Sequence, residues 1–210
     1  MLVARCMYPV QSLGPGNRLG IWMCGCNRRC KNCANPELWA FDQRYEIAPK
    51  ALFQAIEQTL SGRCVEGITI TGGEPFEQPK ELLNFLQLFP SEMTDILIFT
   101  GYTKQQLLER RQQETDAVLN RIGVLIDGEY REEENNGSIL RGSDNQNIHI
   151  LRSELQQRYQ AYLQAPERLI QNFASDQAMY SVGLHGRGFQ EKLKECLEET
   201  ESHAERKNDK

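Results

Sequence analysis

The sequence has no apolar run long enough to cross a bilayer. Its longest, such as Ile96-Leu97-Ile98-Phe99, stop far short of the ~20 residues a spanning helix needs. The first residues, Met1-Leu2-Val3-Ala4-Arg5-Cys6, lack the basic-then-apolar layout of an export leader. An excess of basic residues is missing too: 24 Lys and Arg stand against 29 Asp and Glu, a net charge of −5, which leaves no electrostatic footprint for nucleic acid. Compositional bias is absent, with 40% hydrophobic and 25% charged residues, so a disordered or low-complexity chain is excluded. What remains is a chain of 210 residues, enough for one sizeable domain with its own core. An even cysteine set is also lacking. The seven are Cys6, Cys24, Cys26, Cys30, Cys33, Cys64 and Cys196, and an odd count without a leader argues against a disulfide framework. The expected setting is the reducing cytoplasm, with no membrane and no nucleic-acid partner.

Strand-like and helix-like segments alternate. Leu19-Gly20-Ile21-Trp22-Met23 is a short apolar run that enters the cysteine cluster, after the turn-forming Gly14-Pro15-Gly16-Asn17. Leu52, Ala55, Ile56 and Leu60 recur at helical spacing between Pro49, suited to a first turn, and Gly62, just past an end. Gly67-Ile68-Thr69-Ile70-Thr71 reads as a β-branched strand closed by Gly72-Gly73. A helix from Pro79, a strand at 96–99 and a strand at 122–126 follow. Thr103 with Gln106, and Ser153 with Gln156, both carry the capping-box signature of a helix start. Residues 131–145 read as a polar loop, and Ile148 and Ile150 flank His149 in an expected last strand. This alternation predicts α/β units around a mostly parallel sheet, whose ligands gather at the carboxyl ends of the strands. Residues 1–152 form the expected principal domain. Residues 153–210 form an expected helical extension packed on it, with an apolar stripe of Phe189, Leu193, Cys196 and Leu197 and a fraying tail from Glu198.

Cys26, Cys30 and Cys33 have the spacing C-x3-C-x2-C after a strand. Thiolates suit iron–sulfur clusters or zinc. A 4Fe–4S cubane normally takes four cysteines, so three leave one iron open to a substrate, as catalytic metal sites do. The rival is a closed zinc site with Cys24 as fourth thiolate, although one intervening residue is a poor chelate spacing.

The segment Cys26-Asn27-Arg28-Arg29-Cys30-Lys31-Asn32-Cys33 resembles the signature of the radical S-adenosylmethionine (SAM) superfamily. Gly14-Pro15-Gly16-Asn17-Arg18, Gly25 and Asn35-Pro36-Glu37-Leu38-Trp39 narrow the resemblance to the glycyl-radical activating enzymes. Gly72-Gly73-Glu74-Pro75, Thr100-Gly101-Tyr102, Asp127-Gly128 and Arg141-Gly142-Ser143-Asp144-Asn145-Gln146 follow in the family's order, so that the likeness covers roughly residues 8–151. It implies an open, incomplete (β/α) barrel and a 4Fe–4S cluster on Cys26, Cys30 and Cys33, with SAM on the open iron. It further implies SAM contacts from Gly72, Gly73, Glu74, Pro75, Thr100, Tyr102 and Asp127. Glu74 would face the methionyl amine, the two glycines would let backbone approach it, and Arg18 would shape the opening where a partner's loop enters. The implied activity is reductive cleavage of SAM and formation of a glycyl radical on a partner such as an anaerobic ribonucleotide reductase. The electron would come from a donor such as flavodoxin or ferredoxin. Alternatives are a radical SAM enzyme acting on another protein or peptide, and a non-catalytic zinc or iron–sulfur module.

Two features depart from the family's pattern. Asn32 stands where an aromatic residue usually precedes the last cysteine, and residues 151–210 extend beyond the family's common end. Blander readings accompany each motif. Gly72-Gly73-Glu74-Pro75 and Asp127-Gly128 are also common turns, and Asn145-Gln146 also fits the end of a polar loop. Cys24 fits inward packing, while Cys6, Cys64 and Cys196 fit small core positions. His149 and His185 are assigned no chemistry.

Overall fold

A computed structural model of the chain describes residues 1–174 and 178–196. Six strands form one sheet in sequence order: β1 (Val3–Val10), β2 (Arg18–Met23), β3 (Gly67–Gly72), β4 (Ile96–Thr100), β5 (Val124–Asp127) and β6 (Asn147–Ile150). Strands β2 to β5 are parallel, while β1 and β6 are antiparallel edges. The fold is therefore α/β with a mostly parallel central sheet. Between β2 and β5 run α1 (Pro49–Thr59), α2 (Pro79–Leu86), α3 (Lys104–Glu109) and α4 (Gln113–Arg121).

Period-two alternation sorts the two faces of the sheet. Leu19, Ile21 and Met23 of β2, Ile68 and Ile70 of β3, Ile96 and Ile98 of β4, and Leu125 of β5 pack with Leu52, Leu82, Phe85, Leu86, Leu107 and Val118 of the helices. Each such side chain, fully buried, contributes about 1.5–3 kcal/mol. The intervening residues turn to the other face. There Leu97, Val124 and Ile126 meet Leu155 and Tyr159, and Val10, Trp22 and Leu38 meet Val182. Tyr159 belongs to α5 (Gln156–Leu163), and Val182 to a hairpin of β7 (Ile170–Ala174) and β8 (Met179–Gly183).

Several expectations change here. Strand β1 and the hairpin have no counterpart in the sequence reading, so β6 is not the last strand. The extension mixes α5, the hairpin and helical residues 189–196, rather than being helical throughout. Leu197 and the segment from Glu198 lie outside the described residues. The capping box at Thr103 forms in full, and α3 then breaks from α4 at Arg111, whose φ is 51°. Ser153 caps nothing: it opens a single 3₁₀ turn, Ser153–Leu155, and α5 starts from Leu155 without a side-chain cap. Among the described residues no helix is long and apolar enough to cross a membrane.

Candidate active-site cleft

The carboxyl ends of the parallel strands open into a cleft of about 500 Å³. The cysteine loop leaves β2 there and is held on both sides by backbone bonds. Gly25 N donates to Leu38 O at 2.8 Å and Cys26 N to Trp39 O at 2.9 Å; from β3, Gly73 N donates to Met23 O and Glu74 N to Gly25 O, each at 2.8 Å. A Cβ on Gly72 would lie 2.5 Å from Met23 O, and one on Gly73 would lie 2.4 Å from Gly25 O. Those glycines therefore let the end of β3 press against the cysteine loop. The close approach that requires them is protein on protein, a different reason from the ligand approach expected of them. Within the loop, Arg29 and Asn32 take left-handed conformations (φ 48° and 56°), which asparagine tolerates better than most residues.

Cys26, Cys30 and Cys33 all line the cleft. Cys24 does not: it is fully buried and its thiol donates to Ala40 O at 2.9 Å, so it is occupied as an inward-packed residue. Among the described residues no three Cys, His, Asp or Glu side chains converge tightly enough to hold one metal ion. A zinc site demands such convergence, with sulfur about 2.3 Å from a single centre. A cubane does not, because each cysteine binds its own iron. Burial pushes the Cys26 and Cys30 thiols up, while backbone N–H groups of Arg29 and Arg28 at Cys26, and of Tyr130 at Cys30, pull the other way. Asn35 N also points at Cys33 Sγ, at 3.5 Å. Amides aimed at sulfur favour the thiolate that metal coordination requires. Two further buried N–H groups on the cleft wall, Arg28 Nε and Trp39 Nε1, have no acceptor among the described residues. The donor set fits a three-thiolate cluster with room for a polar ligand beside it.

Glu74 is the other chemical feature of the rim. It is 1% exposed and borders the cleft. Its Oε1 accepts from Phe76 N at 3.0 Å and Thr100 Oγ1 at 2.8 Å, and its Oε2 from Gly101 N at 2.8 Å. No cation pairs with it among the described residues. Burial, helped by the nearby Glu77 charge, pushes its pKa up to about 7 despite those three donors. A buried carboxylate held in place yet unneutralised is complementary to a ligand ammonium.

Other residues named from the sequence fall into two groups. Thr100 borders the cleft and holds Glu74. Pro75 is buried at the start of a 3₁₀ turn beneath it, away from the cleft wall. Tyr102 is also off the wall: its hydroxyl donates to Glu77 at 2.5 Å and its ring lies 3.8 Å from the Arg110 guanidinium. Asp127 is 2% exposed and faces α3, accepting from Lys104 N at 2.5 Å and Asn147 Nδ2 at 3.0 Å, with His149 Nε2 3.0 Å away. Arg18 lies at the opposite, amino end of the sheet, 0% exposed, so it shapes no entrance. Cys6, Cys64 and Cys196 are exposed and fill no core position.

The cleft also has a wall that the sequence reading missed. Tyr180, Ser181, His185, Phe189 and Gln190 line it from the extension. The available signal was weak: two short runs, 170–174 and 179–183, that hold β-branched and aromatic residues (Ile170, Phe173, Tyr180, Val182) without strict alternation, separated by a polar step at Ser175-Asp176. Gln146, from the Arg141–Gln146 motif, lines the floor; it accepts from Gly142 N and donates to Gly128 O, each at 2.8 Å.

Comparison with known proteins agrees with this geometry. Residues 12–149 match the model of the 4Fe-4S single cluster domain family. The chain is 33% identical over 151 residues to the anaerobic ribonucleoside-triphosphate reductase-activating protein of Haemophilus influenzae, covering 68% of this chain and 94% of that protein. The namesake protein of Vibrio cholerae is 34% identical over 153 residues (68% and 94%), and that of Escherichia coli K12 31% over 153 residues (69% and 96%). Cysteine loop and glutamate thus lie within the shared region, as does the cleft apart from the wall supplied by the extension, and the chain belongs to the 4Fe-4S single cluster domain family and to that of the anaerobic ribonucleoside-triphosphate reductase-activating proteins.

Proposed function

We propose that this chain is a radical SAM activase that installs a glycyl radical on an anaerobic ribonucleotide reductase. When bound, a 4Fe–4S cluster supplies the electron that cleaves SAM to methionine and a 5′-deoxyadenosyl radical, which removes a hydrogen atom from a glycine of the partner. Cys26, Cys30 and Cys33 are the ligands, each to one iron. Glu74 receives the methionyl ammonium and is itself fixed by Thr100, Gly101 and Phe76. Gly72 and Gly73 keep Glu74 close to the cysteine loop. Pro75, Tyr102 and Asp127 hold the rim's shape from behind. The inner face of the sheet and the extension exclude water, which protects a reactive radical.

The sheet, with α1 to α4 on one face and the cleft bordered by the carboxyl end of the other, is read as the open, incomplete (β/α) barrel of this superfamily. Residues 1–152 are the activase domain and residues 153–210 an extension packed on it. A flavodoxin or ferredoxin is the proposed electron donor and the cytoplasm the proposed location.

The observation that carries this reading is the meeting of three cysteines and an unneutralised buried glutamate on one cleft. Anaerobically purified protein should hold about four irons per chain. With SAM and a strong reductant it should release 5′-deoxyadenosine, and with an anaerobic ribonucleotide reductase it should give a glycyl-radical electron paramagnetic resonance (EPR) signal. One zinc and no iron would overturn the proposal. A cluster with SAM cleavage, but a radical only on some other peptide, would redirect it.

A further inference from the structure

The relatives are matched over 94–96% of their own length, yet cover only 68–69% of this chain. The family model ends at residue 149. The extension therefore lies outside what those relatives and the family model share, and it is fastened to the cluster loop. Gln190 Nε2 donates to Cys33 O at 2.5 Å. Gly188 N donates to Glu132 Oε1 at 3.2 Å, and the other oxygen of that carboxylate accepts from the Asn32 side chain. Arg168, ahead of the hairpin, donates to Asn135 Oδ1 at 2.8 Å, to Arg141 O at 2.6 Å and to His185 O at 3.0 Å.

These bonds set an aromatic pair into the cleft wall. The His185 and Phe189 rings stack with centroids 3.7 Å apart and planes within 21°. Ser181 Oγ lies 2.8 Å from His185 Nε2 and fixes the imidazole's rotation. Both residues are half-buried and both border the cleft. The loop between Cys26 and Cys33 carries no aromatic residue.

Resting on the proposed function, we infer that Phe189 and His185 form a shelf for the planar purine of SAM, supplied by the extension. The shelf lies beside Cys33, as a ligand held on the cluster requires. Three carboxylates on the cleft, Glu37, Glu74 and Glu132, outnumber its two guanidinium groups, Arg5 and Arg28, and so favour a cationic sulfonium nucleoside over a phosphorylated nucleotide.

The test is SAM affinity of the cluster-loaded protein, measured anaerobically by calorimetry. Phe189→Ala should weaken SAM binding roughly ten-fold, as loss of one base-stacking ring does elsewhere, with an unchanged cluster spectrum. Phe189→Tyr should restore it. The emission that Phe189→Trp adds to that of Trp22 and Trp39, taken as the difference from the wild-type protein, should be quenched by SAM and left unchanged by methionine. Wild-type affinity in Phe189→Ala, or quenching by ATP in place of SAM, would overturn the shelf alone. Failure of the unaltered holoprotein to bind SAM would instead sink the reading of the whole cleft, and the shelf with it.

Discussion

The two ends of the parallel sheet are built on opposite rules. At the carboxyl rim, polar groups are held in place but left incomplete: among the described residues Glu74 has no cation, and Arg28 Nε and Trp39 Nε1 have no acceptor. At the amino end the same chemistry is met almost entirely within the protein, Asp95 Oδ2 alone among the plug's polar atoms lacking a hydrogen bond among the described residues. Arg18 Nε donates to Thr69 Oγ1 at 2.7 Å, its other nitrogens donate to Pro15 O and Ile68 O, and Asp95 pairs with it at 3.0 Å. Tyr159 donates to Asp95 at 2.6 Å, and Arg158 Nε lies 3.4 Å from the same carboxylate. Gly67 makes room for this plug, since a Cβ there would lie 2.5 Å from Arg18 Nη1. A buried charge that meets its counter-charge within the protein is structure, whereas Glu74, which meets none among the described residues, is a site awaiting a ligand.

The sharpest way to break this distinction is to alter each end and read both activity and stability. Cys30→Ala at the rim should abolish cluster absorbance and 5′-deoxyadenosine release. It should leave the melting of the metal-free protein within about 0.5 kcal/mol of wild type, as for substitutions outside the core. Asp95→Asn at the base should do the reverse. It strands the Arg18 charge, at a cost of about 3 kcal/mol or more. That corresponds to roughly a 10 °C fall in Tm at this chain length. The surviving folded fraction should cleave SAM normally. A Cys30 variant that keeps its cluster would end the rim's assignment, and an Asp95 variant with wild-type Tm would end the plug's.

This contrast also sets how much was legible in the sequence. Strand periodicity placed β2 to β5 and hence the rim, and the cysteine spacing placed the thiols on it. Which end of a strand a charged residue serves is not written in its neighbours. Arg18 sits in a glycine-rich motif that looks like a ligand loop, yet it opens β2 and so belongs to the base. Tyr102 and Asp127 follow strands, as site residues do, but their side chains turn back to Glu77 and to the start of α3. The hairpin escaped because its local signal is weak, with no strict alternation in either strand, and because β7 and β8 matter for the surface they cover on β1 and β2, a docking that no local pattern reports.

Glu74 gives a subtler separation, through pH. Its folded pKa of about 7 lies above the ordinary carboxylate value. The folded protein thus holds this proton more tightly than the unfolded chain. Its contribution favours folding at acid pH and is lost as pH rises to about 7. Ligand binding should run the other way. Affinity for SAM should fall as pH drops below 7, by up to about ten-fold per unit, because the ammonium needs the carboxylate. Calorimetry between pH 5.5 and 8 checks this, and a flat profile would remove Glu74 from the amine's site. Base variants such as Tyr159→Phe should keep the slope.

The smallest effect compares two helix starts with the same sequence signature, one at each end. Thr103 sits after β4 at the rim and forms the complete box, accepting from Gln106 N while the Gln106 side chain accepts from Thr103 N at 2.9 Å. Ser153 follows β6 at the base, where the chain enters a 3₁₀ turn and α5 begins three residues later without a side-chain cap. Thr103→Ala should therefore cost about 1 kcal/mol, a few degrees in Tm. Ser153→Ala should stay within about 0.5 kcal/mol of wild type. Equal losses at the two positions would mean that the signature, and not the bond it forms, stabilises each helix. The bond is the physical cause, because an N-cap contributes only by satisfying an amide the helix leaves unpaired.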